Sequence, residues 1–408
     1  VYQTTLDLSV EDYKVVVDVD TVGASLTIYL GGAQQSLNVG VNTIDMQSGG
    51  SNSFVGFNNG TGSVINSISV KKVTGQEVVP DSGCGSWLLE PQSTNVVAYS
   101  EDFSNSYWNQ TYMSISTTEV TTSPNGSNTA QKLTRSAGAY NIVRPASGIN
   151  GLNYSLSVFV KNIDADNFYI RTASGFSYYN FASKTTSNSN LVAEEFSDGW
   201  VRLITNEPNS SYKQFGIGES ESDQTETDNQ VYIWGAQVEQ QSYATSYIPT
   251  NGATNTRLQD IATNSGNSTL INSTEGVLYA EIAALADDGN YRMISISDGT
   301  NDNRVTLYLI TTNTISFIVK ESNTTQALMT YTVGDVTDFN KVAFKYKEND
   351  FALWVNGAEV ATDTSGNAPI GLSQLNFSNG DAINFPFYGK TKALAVYKEA
   401  LTDANLRC

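Results

Sequence analysis

The sequence predicts an all-β protein built from tandem antiparallel β-sandwiches, and three observations lead there. Apolar residues alternate with period two in YKVVVDV (13–19), LTIYL (26–30), YSLSVFVK (154–161), RVTLYLI (304–310) and KVAFKYK (341–347), which is the pattern of half-buried strands. Between such runs stand pairs able to adopt the positive φ of tight turns: Gly31-Gly32, Gly49-Gly50, Asn59-Gly60, Asp198-Gly199, Asp298-Gly299 and Asn356-Gly357. Only 15% of residues are charged, while 5 Trp, 22 Tyr and 16 Phe supply bulk for several cores, so the chain reads as folded throughout.

At 408 residues the chain is long enough for two to four domains. Hairpins at short spacing imply sandwiches, and the helix candidate is EALTDANLR at the C-terminus, with Thr402 as N-cap. An internal echo divides the chain further. FVGFNNGTGSVINSISVKKV (54–73) and FGIGESESDQTETDNQVYIWGAQV (215–238) share an aromatic-Gly strand, a polar loop and an alternating apolar strand, so each reads as the closing hairpin of one kind of jelly roll. Residues 1–78 are then the C-terminal part of a jelly roll whose other strands come from upstream sequence or a neighbouring chain; 87–256 form a second module and 257–408 a third. The chain opens with Val in strand-like text, which points to part of a longer polypeptide. SYIPTNGATNTR, with Pro249, reads as a stiff joint between the last two modules.

Charge and composition exclude several function classes. The net charge of −19 is spread along the chain, with 3 basic against 8 acidic residues in 1–86, 8 against 16 in 87–256 and 11 against 17 in 257–408. Phosphate recognition needs clustered Lys and Arg, so nucleic acid and anionic membrane are poor partners, and a neutral ligand or a protein fits better. The absence of His removes the Ser-His-Asp and Cys-His systems and His-ligated zinc. Cys84 and Cys408 have neither CxxC spacing nor a companion His and read as inert thiols. No apolar run approaches the roughly 20 residues of a membrane-spanning helix, so no membrane insertion is expected. Sequons at Asn109, Asn153, Asn209 and Asn267 are what chance yields in a chain this rich in Asn, Ser and Thr.

SGCGSWLLEPQSTNVVAYSEDFSNSYWNQ (82–110), SPNGSNTAQKLT (123–134), DGWVR (198–202) and WGAQVEQQSYATSYIPT (234–250) together resemble the LLEPQ-type jelly-roll module that recurs in bacteriophage tail and virion structural proteins. The phrases span most of 87–256, and the resemblance implies a virion-associated sandwich like a carbohydrate-binding module. ALWVNGAEVAT (352–362) followed by FPFYGKTKALAVYKEALTDANL (385–406) is similar to the end of laminin-G or concanavalin A-like lectin domains, which implies a lectin-like sandwich over 257–408.

Glu221-x-Asp223-x-x-Glu226 matches the E-x-D-x-x-E pattern of laminarinase-like glycosidases, in which one carboxylate is nucleophile and another acid at about 5 Å. In that family the motif sits on a strand of the concanavalin-like sheet, with apolar residues between the acids to anchor them. Here the spacers are Ser222, Gln224 and Thr225, so a solvated acidic hairpin loop is expected and no catalytic residue is assigned. With Glu219 and Asp228 this loop is one place to seek Ca²⁺, and Asp287, Asp288, Asp298 and Asp302 are another, although neither has EF-hand spacing and polar turns explain both.

Sugar binding stacks the apolar face of a pyranose on an exposed ring, for about 1 kcal/mol, while amides and carboxylates take the hydroxyls. Trp200, Trp234 and Trp354 alternate with apolar neighbours and read as core. Tyr107, Trp108, Tyr112, Tyr140, Tyr178 and Tyr179 stand in polar text and are the candidate carbohydrate platform. The expectation is a non-enzymatic virion protein without cofactor, a tail fibre or similar appendage. It would be a homo-oligomer, a trimer, that contacts other virion proteins and binds host-surface polysaccharide outside the cell. A purely architectural capsid-decoration or fibre protein is the alternative, and a polysaccharide-cleaving enzyme is less favoured.

Overall fold

The computed structural model describes residues 2–3, 12–23, 25–30, 32–47, 55–58, 61–72, 75–78, 85–138, 142–145, 154–172, 175–205, 213–310 and 312–407. Cys84, Cys408 and Tyr140 lie outside them. Among the described residues the chain is almost entirely β, in three sandwiches in sequence order, with one short α-helix, Asp403–Leu406, after Thr402.

In the first sandwich, strands Tyr2–Gln3, Val55–Asn58, Thr27–Leu30 and Ala33–Ser36 form one sheet, and Gly40–Gln47, Asp12–Thr21 and Val64–Lys72 the other. Period two places Tyr13, Val15, Val17 and Val19 inward, where they meet Leu26, Ile28, Leu30 and Leu37. The second sandwich packs two six-stranded sheets. Trp108–Thr111, Ile142–Pro145, Gln214–Ile217, Asn167–Thr172, Gly175–Asn180 and Thr185–Thr186 face Met113–Thr121, Ala130–Arg135, Gln230–Glu239, Ser155–Asn162, Trp200–Thr205 and Leu191–Glu195. In the third, Phe317 and Phe344 stack at 4.6 Å and 7° across a core shared by a five-stranded sheet and the sheet that holds Glu275–Ala284 and Gly389–Tyr397.

The echo holds in plan but not as a hairpin. Val55–Asn58 and Val64–Lys72 lie in opposite sheets of the first sandwich, as Gln214–Ile217 and Gln230–Glu239 do in the second, so the polar loop in each case carries the chain across the core. Hairpin pairing would leave both apolar strands in one sheet, whereas crossing lets each sheet bury one of them. The module limits also shift in the sheets. Gly75–Val78 pairs with Leu394 to Tyr397 and Trp87–Leu89 with Gly389 to Thr391, so both add to the edge of the third sandwich. That edge strand has backbone groups to satisfy, and two short segments cover it end to end.

The LLEPQ and WGAQVEQ phrases form the joint between the second and third sandwiches. Glu239, fully buried, accepts from Ser93 Oγ at 2.5 Å, Gln237 Nε2 at 2.6 Å, Thr245 N at 2.9 Å and Thr245 Oγ1 at 2.5 Å. Asn95, also fully buried, donates to Ala236 O and Ile248 O and accepts from Val97 N and Val238 N. Glu90 accepts from Ser246 N at 2.7 Å and pairs with Arg257, whose strand Asn255–Arg257 runs against Ser93–Asn95. The expected stiff joint is therefore a short two-stranded ribbon locked by buried carboxylates. Gly235 of the same phrase takes φ +64 at a bulge opposite Ser157 and Phe159; a Cβ there would come 3.0 Å from the Phe159 ring.

Trp200, Trp234 and Trp354 are buried as expected, at 2, 1 and 4% exposure. The first two pack with Phe159 on the outer face of one sheet of the second sandwich, under Tyr247, while Trp354 sits under Leu406 of the terminal helix. Removing the Glu239 carboxylate orphans four donor bonds in a dry site. Glu239→Ala is expected to lower stability in urea titration by about 3 kcal/mol, and Glu239→Gln by less, because it keeps an acceptor.

Candidate functional site

A cleft of about 750 Å³ opens where the second and third sandwiches meet. One wall is the segment 240–243, which leaves strand Gln230–Glu239; the other is the turn 288–291 that leads into strand Arg292–Ser297, with the loop 385–388 before Gly389–Tyr397. Tyr291 and Phe385 stand 49% and 47% exposed with ring centres 5.6 Å apart and planes at 62°, which makes an open aromatic corner. Phe385 is held there by its own carbonyl, which accepts from Met293 N at 3.1 Å, and Tyr291 leans on Tyr308 at 6.3 Å.

Polar groups line the floor. Arg292, 4% exposed, donates from Nη1 to Asp288 Oδ1 at 2.9 Å and to Asn290 O at 3.1 Å. Ser242 Oγ donates to Asp288 Oδ2 at 3.3 Å, which ties the two sandwiches across the cleft. Burial pushes the Asp288 carboxyl up, but the Arg292 guanidinium and the Asn290 N–H outweigh it and hold it below the usual carboxylate range. Burial also pushes the Tyr243 phenol up to about 12, with Arg292 opposing and Asp288 adding to the rise, so it remains a neutral donor. The arrangement offers ring faces beside an ionised acceptor, a neutral hydroxyl and the nearby amides of Gln240 and Gln241, which is the chemistry that recognises a sugar.

The residues expected to form the platform are not gathered into such a site. Trp108 is 4% exposed and Tyr179 is 1% exposed; both belong to the core of the second sandwich and present no face to a ligand, which corrects their placement on the platform. Trp108 Nε1 donates to Tyr99 O at 2.8 Å, and its ring packs on Phe103 and Phe215. Tyr107 is half-buried against Trp108 at 5.5 Å and Tyr99 at 5.8 Å. Tyr178 is half-buried opposite Tyr169 on a strand pair of the same sandwich. Tyr112, 48% exposed, lies so close over Gly138 that a Cβ there would meet its ring at 2.2 Å. Tyr291 was missed although it too stands in polar text, GNYR, which is the signal that selected the others; Phe385 stands in the apolar run INFPF and carried no such signal.

The acidic loop is not a solvated hairpin. It closes over two arginines from strands of opposite sheets: Glu221 pairs with Arg171 at 3.0 Å, and although burial pushes the Asp223 carboxyl up, the N–H groups of Thr225 and Glu219, with the fully buried Arg135 adding to them, hold it low. Glu226, 2% exposed, accepts from Asp166 N at 2.8 Å and Asn167 N at 3.1 Å, yet burial outweighs these bonds and pushes its carboxyl up. Among the described residues no group of three or more Asp, Glu, His or Cys side chains is placed to hold a metal ion. Asp287 instead receives Thr312 N and Asn313 N, and Asp298 receives Thr300 N and Asn303 Nδ2, which are turn-closing bonds.

Residues 267–407 match the family Laminin_G_3, the concanavalin A-like lectin/glucanases superfamily. This lectin-like domain is the third sandwich. No curated protein matches the sequence. Among solved structures, the Ruminococcus gnavus IT-sialidase CBM40 is similar over 36% of this chain and 92% of that one, at 17% identity and TM-score 0.31, and the same module bound to alpha2,3 sialyllactose gives the same values. The leech intramolecular trans-sialidase is 19% identical over 36% of this chain and 26% of its own, with TM-score 0.31. The SAP-like pentraxin of Limulus polyphemus is 12% identical over 36% and 72%, with TM-score 0.27.

Because Asp288 is the counter-ion of a buried arginine, Asp288→Asn is expected to destabilise the lectin-like sandwich by about 2 kcal/mol at pH 7. The folded Asp288 carboxyl titrates below its unfolded value, so this advantage of the native protein is present above that value and lost as the pH falls through the folded one. Urea titrations of the two proteins should therefore converge as the pH drops below roughly 4.

Proposed function

We propose that the chain is a non-catalytic glycan-binding protein of a bacteriophage particle, a tail fibre or similar appendage, which holds host-surface polysaccharide in the cleft between its middle and lectin-like sandwiches. The observation that carries the binding role is the exposed Tyr291–Phe385 corner over the Asp288–Arg292 pair. The virion assignment rests on the LLEPQ, YSEDF and WGAQVE phrases of the middle module. The non-catalytic assignment is supported by the acids of the E-x-D-x-x-E match, which are committed to Arg171 and to backbone N–H groups. Such sites are shallow and individually weak. Adsorption would come from several copies in a homo-oligomer, a trimer on this reading, that gain avidity through effective concentration.

A purely architectural role is the second reading, and one observation favours it. Val39, Val41, Val64 and Ile68 of the first sandwich are 65, 70, 50 and 43% exposed, a set of apolar side chains suited to burial against another subunit.

The deciding experiment measures binding of the protein to host cells and to their extracted surface polysaccharide, beside Tyr291→Ala and Phe385→Ala. Each ring removed is expected to weaken binding about fivefold, the equivalent of roughly 1 kcal/mol of lost stacking. A folded, oligomeric sample that binds neither cells nor polysaccharide would overturn the adsorption role and leave the architectural one.

A further inference from the structure

We infer that the middle sandwich carries a second glycan subsite, selective for an uncharged pyranose, in a cavity of about 540 Å³ between the loops 99–102 and 249–251. The inference rests on the glycan-binding reading above and shares no lining residue with the cleft. The loops come from the YSEDF and YIPT phrases at opposite ends of the module, and the buried joint brings them together: Ser100 N donates to Thr250 Oγ1 at 3.0 Å, Thr250 N to Ser100 Oγ at 2.8 Å, and Gly252 N to Ala98 O at 2.8 Å.

A partly used amide lines this cavity. Gln131 is 8% exposed, and its Oε1 accepts from Phe103 N at 2.7 Å. Its Nε2 makes no hydrogen bond to a described residue, and Gln131 is part of the cavity lining. An amide donor left to water is free to be taken by a sugar hydroxyl. Around it stand complementary groups. Asp102 receives Ser104 N and Oγ on Oδ1, leaving Oδ2 to accept from a hydroxyl, and the exposed Asn251 adds an amide. Tyr99, packed on Tyr107 at 5.8 Å, contributes a ring to the wall.

Charge sets the class of ligand. Glu101, held by Tyr247 OH and Thr129 Oγ1 at 3.0 Å each, and Asp102 place two carboxylates on the wall, and no Lys or Arg lines it. Uronates, sulfated sugars and other anions meet uncompensated repulsion there. Two weak sites on one chain would also raise the avidity of each subunit.

Saturation-transfer NMR on the full chain tests this, with methyl α-mannopyranoside, methyl β-galactopyranoside and methyl β-N-acetylglucosaminide as neutral probes and methyl β-glucuronide as the anionic one. With the cleft removed by Tyr291→Ala and Phe385→Ala, at least one neutral probe is expected to keep a saturable response. Adding Asn251→Ala should lower that response about fivefold. Adding Glu101→Gln and Asp102→Asn instead should raise the glucuronide response roughly fivefold, a gain that mere loss of structure does not produce. If the cleft variant, still folded by circular dichroism, loses every response, the second subsite is overturned while the glycan-binding reading stands. If the cleft variant binds glucuronide as well as the neutral probes, the selectivity is overturned. Silence of the unaltered protein towards all four probes overturns both.

Discussion

A buried carboxylate pair at the joint of the middle sandwich is the constraint on which the two cavities depend. Glu239 and Glu90 sit where three stretches of chain meet: the strand leaving Trp87–Leu89, the end of Gln230–Glu239 and the return through Ser246 to Arg257. Taking these charges out of water is unfavourable unless every lone pair is met, and they are met by Ser93, Gln237, Thr245, Ser246 and Arg257. The geometry that satisfies them also aims the 240–243 segment at the Asp288 turn. It brings 249–251 beside 99–102 as well, so the phrases that look like a recognition motif act first as a fastening, and the cavities lie on either side of it.

This fastening explains why the lectin-like sandwich does not stand apart from the rest of the chain. Its edge strand Gly389–Tyr397 is completed by residues 75–78 and 87–89, which precede the middle sandwich in sequence. An open edge invites pairing with other chains. Covering it with the chain's own inter-module segment ties the first module's exit to the third module and leaves the middle sandwich as a loop between two attachment points.

The acids of the middle module show how a local pattern is reinterpreted by its surroundings. Glu221, Asp223 and Glu226 have the spacing of a catalytic set, and their polar spacers argued against that role. Their actual task came from residues far away in sequence, Arg135, Arg171 and the N–H groups of Asp166 and Asn167, which the fold delivers to the same loop. Glu226 was expected in solvent and is buried because those two N–H groups need an acceptor.

Strands were legible because period-two alternation is a property of the chain itself: Val15 and Val17 point one way whatever they face, and Asn356-Gly357 takes φ of 50° and 80° because few other pairs can. The burial of Trp200, Trp234 and Trp354 was legible for the same reason. Exposure of an aromatic in polar text was not. Trp108 and Tyr291 have equally polar neighbours, but the first meets Phe103 and Phe215 from distant strands and the second meets a cleft. The sequence by itself determined the all-β class, most strands, the turns and the lack of histidine chemistry, since each follows from local geometry or composition. Tertiary structure alone decided which sheets the echoing strands join, which rings face solvent and which acids are paired, because those depend on contacts between residues far apart in sequence, such as Glu90 and Asp260, 170 positions apart.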